Sequence, residues 1–222
     1  FHPLLRVAGA NHLREAGTAM TAPGIVLILL LVGVGACSSD PTTAQPMPKP
    51  AGGQALQAAE LDTIVVAGGC FWCMEPPFEK LDGVHAVVSG YTGGPEVNPT
   101  YQQVSNKQTG HLEAVQIVYD PEVITYGQIL RTYWMTFDPT DGGGQFADQG
   151  PQYRPAIFYG NEMERRIAEA SKADLAATGI FDEPIAASIR PAGPFYAAEE
   201  YHQDYYLKNP SHYKRYRRGS GR

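Results

Sequence analysis

A cysteine placed where an apolar run turns through two glycines into a helical stretch constrains this chain more than any other feature. Thr63-Ile64-Val65-Val66-Ala67 reads as a buried strand and Gly68-Gly69 as the turn. Cys70-Phe71-Trp72-Cys73-Met74-Glu75 then leads into Phe78-Glu79-Lys80-Leu81, which has helical character. At such a junction the unpaired backbone N–H groups and the helix dipole stabilise an anion, so a thiol there is favoured as thiolate, its nucleophilic form. Pro76 and Pro77 have no N–H and fit only a first turn, which predicts a helix beginning not much before Cys73. The second thiol, three residues on, is close enough to trap whatever the first becomes.

Three readings of Cys70-x-x-Cys73 compete. A structural zinc site needs about four ligands, but the chain has three cysteines in all and no His-x-x-x-His partner nearby. A disulfide exchanger of the thioredoxin kind would need a βαβ start and usually carries a small or polar dipeptide between the thiols, whereas Phe71-Trp72 is bulky and apolar. A thiol nucleophile beside an aromatic substrate pocket, with a resolving thiol in line, fits best.

With 222 residues, 43% of them hydrophobic, the chain can bury one domain and still carry an appendage. A net charge of −6 gives no electrostatic case for nucleic acid. Residues 1–36 read as an upstream extension plus a secretion signal, with Met20 a candidate start. The apolar run Ile25 to Val34 is too short to span a bilayer and suits a signal core. It leads into Gly35-Ala36-Cys37-Ser38-Ser39, which resembles a bacterial lipobox with Cys37 as the lipid-attachment residue; an ordinary cleaved signal with a chance cysteine is the alternative. Residues 37–60 form a flexible tether, residues 61–207 the folded domain and residues 208–222 a basic tail, solvated or in contact with anionic lipid.

Within the domain, strands are expected at Gly83 to Tyr91, Gly110 to Pro121, Pro155 to Tyr159 and Ala186 to Pro191. Helices are expected at Tyr126 to Phe137, at Glu162 to Ala177 before Gly179, and at Ala197 to Leu207. Long loops rich in Gly and Pro run from Thr92 to Tyr101 and from Asp141 to Arg154. The irregular alternation predicts a two-layer α/β (α+β) domain with a mixed sheet.

Five blocks in order carry a family pattern: Gly69-Cys70-Phe71-Trp72, Gly90-Tyr91-Thr92-Gly93-Gly94, Asn98-Pro99-Thr100-Tyr101, Gly110-His111-x-Glu113-Ala114-Val115 and Asp148-Gln149-Gly150-Pro151-Gln152-Tyr153-Arg154. Together they resemble the A-type peptide methionine sulfoxide reductases over about Thr63 to Leu207. The resemblance implies a ferredoxin-like fold and reduction of the S epimer of methionine sulfoxide, free or in proteins. A sulfoxide sulfur is electrophilic but its oxygen leaves poorly as an anion, so the reaction needs a thiolate and an acid. Cys70 is the expected nucleophile. By resemblance Glu113 is the acid, with a value raised by an apolar site, and Tyr101 and Tyr153 donate to the same oxygen. Phe71 and Trp72 would wrap the substrate methyl group, and Asp148 would order its loop or bind substrate. His111 is expected to be structural; Glu75 matches the family's glutamate after the cysteine turn, and a first-turn, dipole-favoured carboxylate explains it equally well.

Many relatives keep resolving cysteines in a C-terminal tail that here has none, so Cys73 is the expected resolver of a Cys70 sulfenic acid. The resulting disulfide would be reduced by a thioredoxin-like partner. No metal, haem or flavin is called for. A monomer, lipid-anchored in the bacterial envelope, is the expectation. A thiol–disulfide oxidoreductase and a soft-metal-binding module are the alternatives.

Overall fold

The computed structural model of the protein describes residues 60–221. Cys37, the signal and nearly all of the tether lie outside the described residues. Strand β1 (Asp62–Ala67) is exposed over its first two residues and buried or half-buried over the rest, because both of its faces are packed. Ile64 and Val66 join the main core, while Val65 and Ala67 join a smaller apolar group with Leu112, Ala114, Ala156 and Phe158. On one side β1 pairs antiparallel with β3 (Leu112–Tyr119), setting Ile64 opposite Ile117 and Val66 opposite Val115. On the other it pairs antiparallel with β6 (Ala156–Tyr159). β2 (Val84–Thr92) lies against β3, β7 (Ser188–Pro191) runs parallel to β6, and β8 (Phe195–Ala197) closes the far edge on β2. The six-stranded order is β7-β6-β1-β3-β2-β8. Its inner order β6-β1-β3-β2 is the ferredoxin-like arrangement, and the parallel β6–β7 pair makes the sheet mixed, as expected.

Helices α1 (Phe71–Glu79) and α3 (Tyr126–Trp134) bury Phe71, Met74, Phe78, Ile129, Leu130 and Tyr133 in the core beside the sheet. Complete burial of each such side chain contributes roughly 1.5–3 kcal/mol. α3 starts at Thr125, whose hydroxyl accepts the Gln128 N–H while the Gln128 side chain accepts the Thr125 N–H. α4 (Glu162–Ala177) has the predicted ends: the Asn161 side chain accepts the Glu164 N–H, and Gly179 follows at φ +65°. Among the described residues no helix is long and apolar enough to cross a membrane.

Three local expectations fail. α1 begins at Phe71 and holds Pro76 and Pro77 in its interior, because the backbone bonds they cannot make are lost one turn back, at the carbonyls of Trp72 and Cys73. The helix expected over 197–207 is broken into strand β8, a 3-10 turn at Glu200–His202 and α5 (Tyr205–Lys208). Asp204 breaks it, left-handed at φ 51° with its N–H donated to the Glu75 side chain. Residues beyond Lys208 form α6 (Pro210–Ser220), an exposed basic helix with Tyr213 buried.

Candidate active site

Antiparallel pairing gathers one end of the sheet into a site. The exits of β1 and β2 lie beside the entrances of β3 and β6, so Cys70, Glu113 and Tyr153 converge from three stretches of chain. Gly69, at φ 96°, makes the turn out of β1. Gly68 lies so close to α1 and the residues after α3 that a Cβ would sit 2.9 Å from Met74 Sδ and 2.9 Å from Phe137 Cδ1. Cys70 is thereby held at the N-cap of α1, its carbonyl accepting from Cys73 N at 3.0 Å and Met74 N at 3.3 Å. Its neighbour Phe71 donates its backbone N–H to Glu113 Oε2 at 3.1 Å. A carboxyl that is 1% exposed is thus fixed one residue from a thiol that is 6% exposed.

Aromatic rings wall this site. The ring of Phe71 lies fully buried against Tyr91 and Tyr101, the latter at 6.4 Å between centroids and 25° between planes. Trp72 stacks on Tyr205 at 3.8 Å and 7°, and its indole N–H donates to His202 Nδ1 at 3.1 Å. Tyr101 is the first residue of α2 (Tyr101–Ser105), whose start is fixed by a capping box between Thr100 and Gln103. Its N–H donates to Glu199 Oε1 and the Tyr91 hydroxyl to Glu199 Oε2, both at 2.9 Å. The loop over 141–154 carries a short ribbon, β4 (Gly144–Gln145) and β5 (Asp148–Gln149), and ends in a 3-10 turn that contains Tyr153. Cys73, also buried, hydrogen-bonds with Cys70 and lines a separate cavity of about 200 Å³ with Pro77, Thr132, Met135, Thr136 and Arg217.

Electrostatics correct one expectation. Burial pushes the Cys70 thiol well above its ordinary value, the Cys73 hydrogen bond and the facing Glu113 carboxyl act in the same direction, and the Tyr216 hydroxyl opposes them. The resting group is a thiol, because loss of water outweighs the helix N-terminus. Burial, with Glu113 and Cys70 next, also raises the hydroxyls of Tyr101 and Tyr153, which stay protonated donors. Burial works to raise the Glu199 carboxyl, but its donors, Tyr101 N–H and Tyr91 O–H among them, hold it below the usual range. His202 is pushed down by burial and is neutral at pH 7, consistent with its Nδ1 accepting from Trp72.

Cys70, Phe71, Trp72, Cys73, Tyr101, Glu113, Asp148 and Tyr153 lie near one another in the structure. His111 is structural, as expected, accepting from Gly94 N at 3.3 Å and bonding Glu96 O at 2.8 Å across the loop. Glu75 is not a first-turn carboxylate. It is buried in mid-helix, binding Ser89 Oγ at 3.3 Å and Asp204 N at 3.0 Å, and burial pushes it up to about 7. Sequence reasoning missed Glu199, His202 and Tyr205, whose signal was acid and imidazole groups inside the tyrosine-rich run from Phe195 to Tyr206. It also missed Tyr216 of α6. The Tyr216 ring meets Trp72 edge-on at 5.6 Å, and its hydroxyl donates to Asp148 Oδ2 at 2.5 Å and hydrogen-bonds with the Cys70 thiol.

A family model described as peptide methionine sulfoxide reductase matches residues 62–222. The peptide methionine sulfoxide reductase MsrA of Bacillus subtilis is 58% identical over 156 residues, 70% of this chain and 88% of that one. That of Ligilactobacillus salivarius is 57% identical over 152 residues, 68% and 88% of the two chains. Among solved structures, methionine sulfoxide reductase A of Corynebacterium diphtheriae matches with a TM-score of 0.61 and 34% identity, covering 69% of this chain and 77% of that one. Reduced Mxr1 of Saccharomyces cerevisiae matches with a TM-score of 0.64 and 31% identity, covering 68% and 87%. With a buried thiol, a buried carboxyl and hydroxyl donors gathered inside an aromatic wall, this chain belongs to the peptide methionine sulfoxide reductase family, as an A-type oxidoreductase that reduces methionine sulfoxide.

Proposed function

We propose that Cys70 attacks the sulfoxide sulfur of the S epimer while Glu113 protonates the departing oxygen. The observation that carries this is the Phe71 N–H to Glu113 Oε2 bond, which fixes an acid beside the nucleophile. A bond forms between the Cys70 sulfur and the substrate sulfur as the protonated oxygen leaves as water. Attack of a water on the Cys70 sulfur then breaks that bond, releasing methionine as a thioether, a proton, and Cys70 as sulfenic acid. Tyr101 and Tyr153, protonated and facing the same space, steady the departing oxygen. Phe71 and Trp72 enclose the methyl group, and the wall they form selects one epimer by shape. Cys73 then displaces the sulfenic oxygen as water, forming the Cys70–Cys73 disulfide. A thioredoxin-like dithiol restores both thiols; the cavity beside Cys73 supports access to that sulfur.

Turnover of the separated epimers of a methionine-sulfoxide peptide tests this. Reduction of the S epimer alone, abolished in Cys70→Ser, is the expected result. Cys73→Ser should complete one turnover and then stall with thioredoxin. Persistent turnover in Cys70→Ser would remove Cys70 from the mechanism.

The lipobox-like segment before Cys37 supports attachment to a bacterial envelope membrane, where the enzyme repairs oxidised methionine in neighbouring proteins. Full-length protein should partition into detergent and Cys37→Ala into the aqueous phase. Aqueous partition of both would end that reading.

A further inference from the structure

Glu199 joins separate parts of the site through one carboxyl group. Its Oε1 accepts the backbone N–H of Tyr101 and its Oε2 the hydroxyl of Tyr91, both at 2.9 Å. The frame that carries it is firm. Just before it, Ala198 N donates to Ser89 O at 2.8 Å; just after it, His202 N donates to Glu199 O at 2.8 Å. The Gln203 side chain adds bonds to Ser89 and to Ala198 O. Tyr91 is fully buried against Phe71, so the second arm is equally fixed.

α2 is attached less firmly. The capping box between Thr100 and Gln103 shapes its first turn but joins it to nothing else. Away from Glu199, α2 is held by the buried Val104 side chain, by the Tyr101 ring against Phe71 and His202, and by a long bond of 3.4 Å from Gln152 Nε2 to Ser105 O. The amide that Glu199 binds belongs to the residue whose hydroxyl interacts with Glu113 and Cys70. A shift of α2 would carry that hydroxyl away from the reacting oxygen, and a misplacement of about 1 Å can cost on the order of a hundredfold in rate. A carboxylate suits this place because it has two acceptor oxygens and no proton to give, so a backbone amide and a phenol can both donate to it. We propose that Glu199 is a positioning residue, which sets the place of α2 and thereby aims the Tyr101 hydroxyl at the sulfoxide oxygen.

This role rests on the Tyr101 hydroxyl serving the reaction, and a double-mutant cycle separates the two claims. Single-turnover reduction of a methionine-S-sulfoxide peptide is followed by rapid quench in the full chain, with Glu199→Ala, Tyr101→Phe and the pair. Each single change should slow methionine formation about tenfold or more. The pair should be no slower than Tyr101→Phe alone, because Glu199 acts through a hydroxyl already gone. The Tm loss from Glu199→Ala should be the same in both backgrounds, since Tyr101→Phe keeps the backbone N–H. Glu199→Gln retains an oxygen for that N–H and an amide for the Tyr91 oxygen, so its rate should stay within about threefold of wild type. Losses that multiply in the pair overturn the role of Glu199 while leaving Tyr101 in place. So does an unchanged rate in Glu199→Ala, or a loss in Glu199→Gln as large as in Glu199→Ala. A wild-type rate in Tyr101→Phe removes both roles. If Glu199→Ala does not fold, Glu199→Asp, one methylene short of the Tyr101 amide, goes through the same cycle.

Discussion

Glu113 illustrates how little a residue's own identity says about its role. At the start of β3 a carboxylate would ordinarily be solvated, yet here it is closed off beneath α1, holding the N–H of Phe71. Replacing it by Gln keeps the acceptor and removes the proton. Glu113→Gln should therefore fold with nearly unchanged stability but lose about 10²–10⁴-fold in single-turnover sulfoxide reduction, the range typical of a general acid. Rapid-quench measurement of methionine formation checks this; a loss under tenfold would place the proton elsewhere. Asp148 and Tyr153 carried almost no signal as single residues. Only the order of the motif blocks marked them, because a loop aspartate and a loop tyrosine have many solvated uses.

The turn from β1 into α1 is the element on which the site depends. Gly69→Ala puts a Cβ at φ 96° and should cost about 1–2 kcal/mol. Because that strain falls next to Cys70, turnover should drop by more than the stability loss explains, which parallel thermal melts and kcat/KM values would show. This turn was legible in the sequence, since an apolar run, paired glycines and a thiol each state a local requirement. So was the end of α4, through Gly179. The run over 197–207 misled because its aromatic spacing imitates a helix. Tertiary partners decide it instead: Ser89 pairs with the Gln203 side chain at 2.9 Å, and Glu75 takes the N–H of Asp204. α6 was hidden for the opposite reason, with its two inward tyrosines, Tyr213 and Tyr216, sitting among Lys and Arg that declare a solvated face. Composition reports the outer side of such a helix and is silent about the inner one.

At the scale of the whole molecule, distant segments are tied together by buried polar groups. Glu75 links α1 to β2 through Ser89 and to the last third of the chain through Asp204, and Tyr206 O–H bonds Glu79 one turn further on. Burial, the first cause, lifts Glu75 from 4.5 to about 7. Between those values the folded state binds the proton more tightly than the unfolded state does. The stability contributed by the protonated form is therefore present at low pH and lost as pH rises through the window, by about 3 kcal/mol in all. Glu75→Gln keeps an acceptor and cannot ionise. Relative to wild type it should gain about 5 °C or more in Tm on going from pH 5 to pH 8, and an unchanged difference would show that Glu75 stays ionised. α6 is tied on in the same way: Ser220 O accepts from Ala147 N at 3.2 Å, so the helix bearing Tyr216 and the ribbon bearing Asp148 are held as one piece. The adjacent prolines of α1 work in the other direction. Neither has an N–H to donate one turn back, while the Cys70 carbonyl accepts from Cys73 N and Met74 N and Phe78 anchors the far end in the core. A joint of that kind absorbs a change of shape where it arises. Were the two sulfurs joined as proposed, the change of shape should fall within that single turn, and amide hydrogen exchange of β1, β3, α3 and α4 should be the same before and after oxidation.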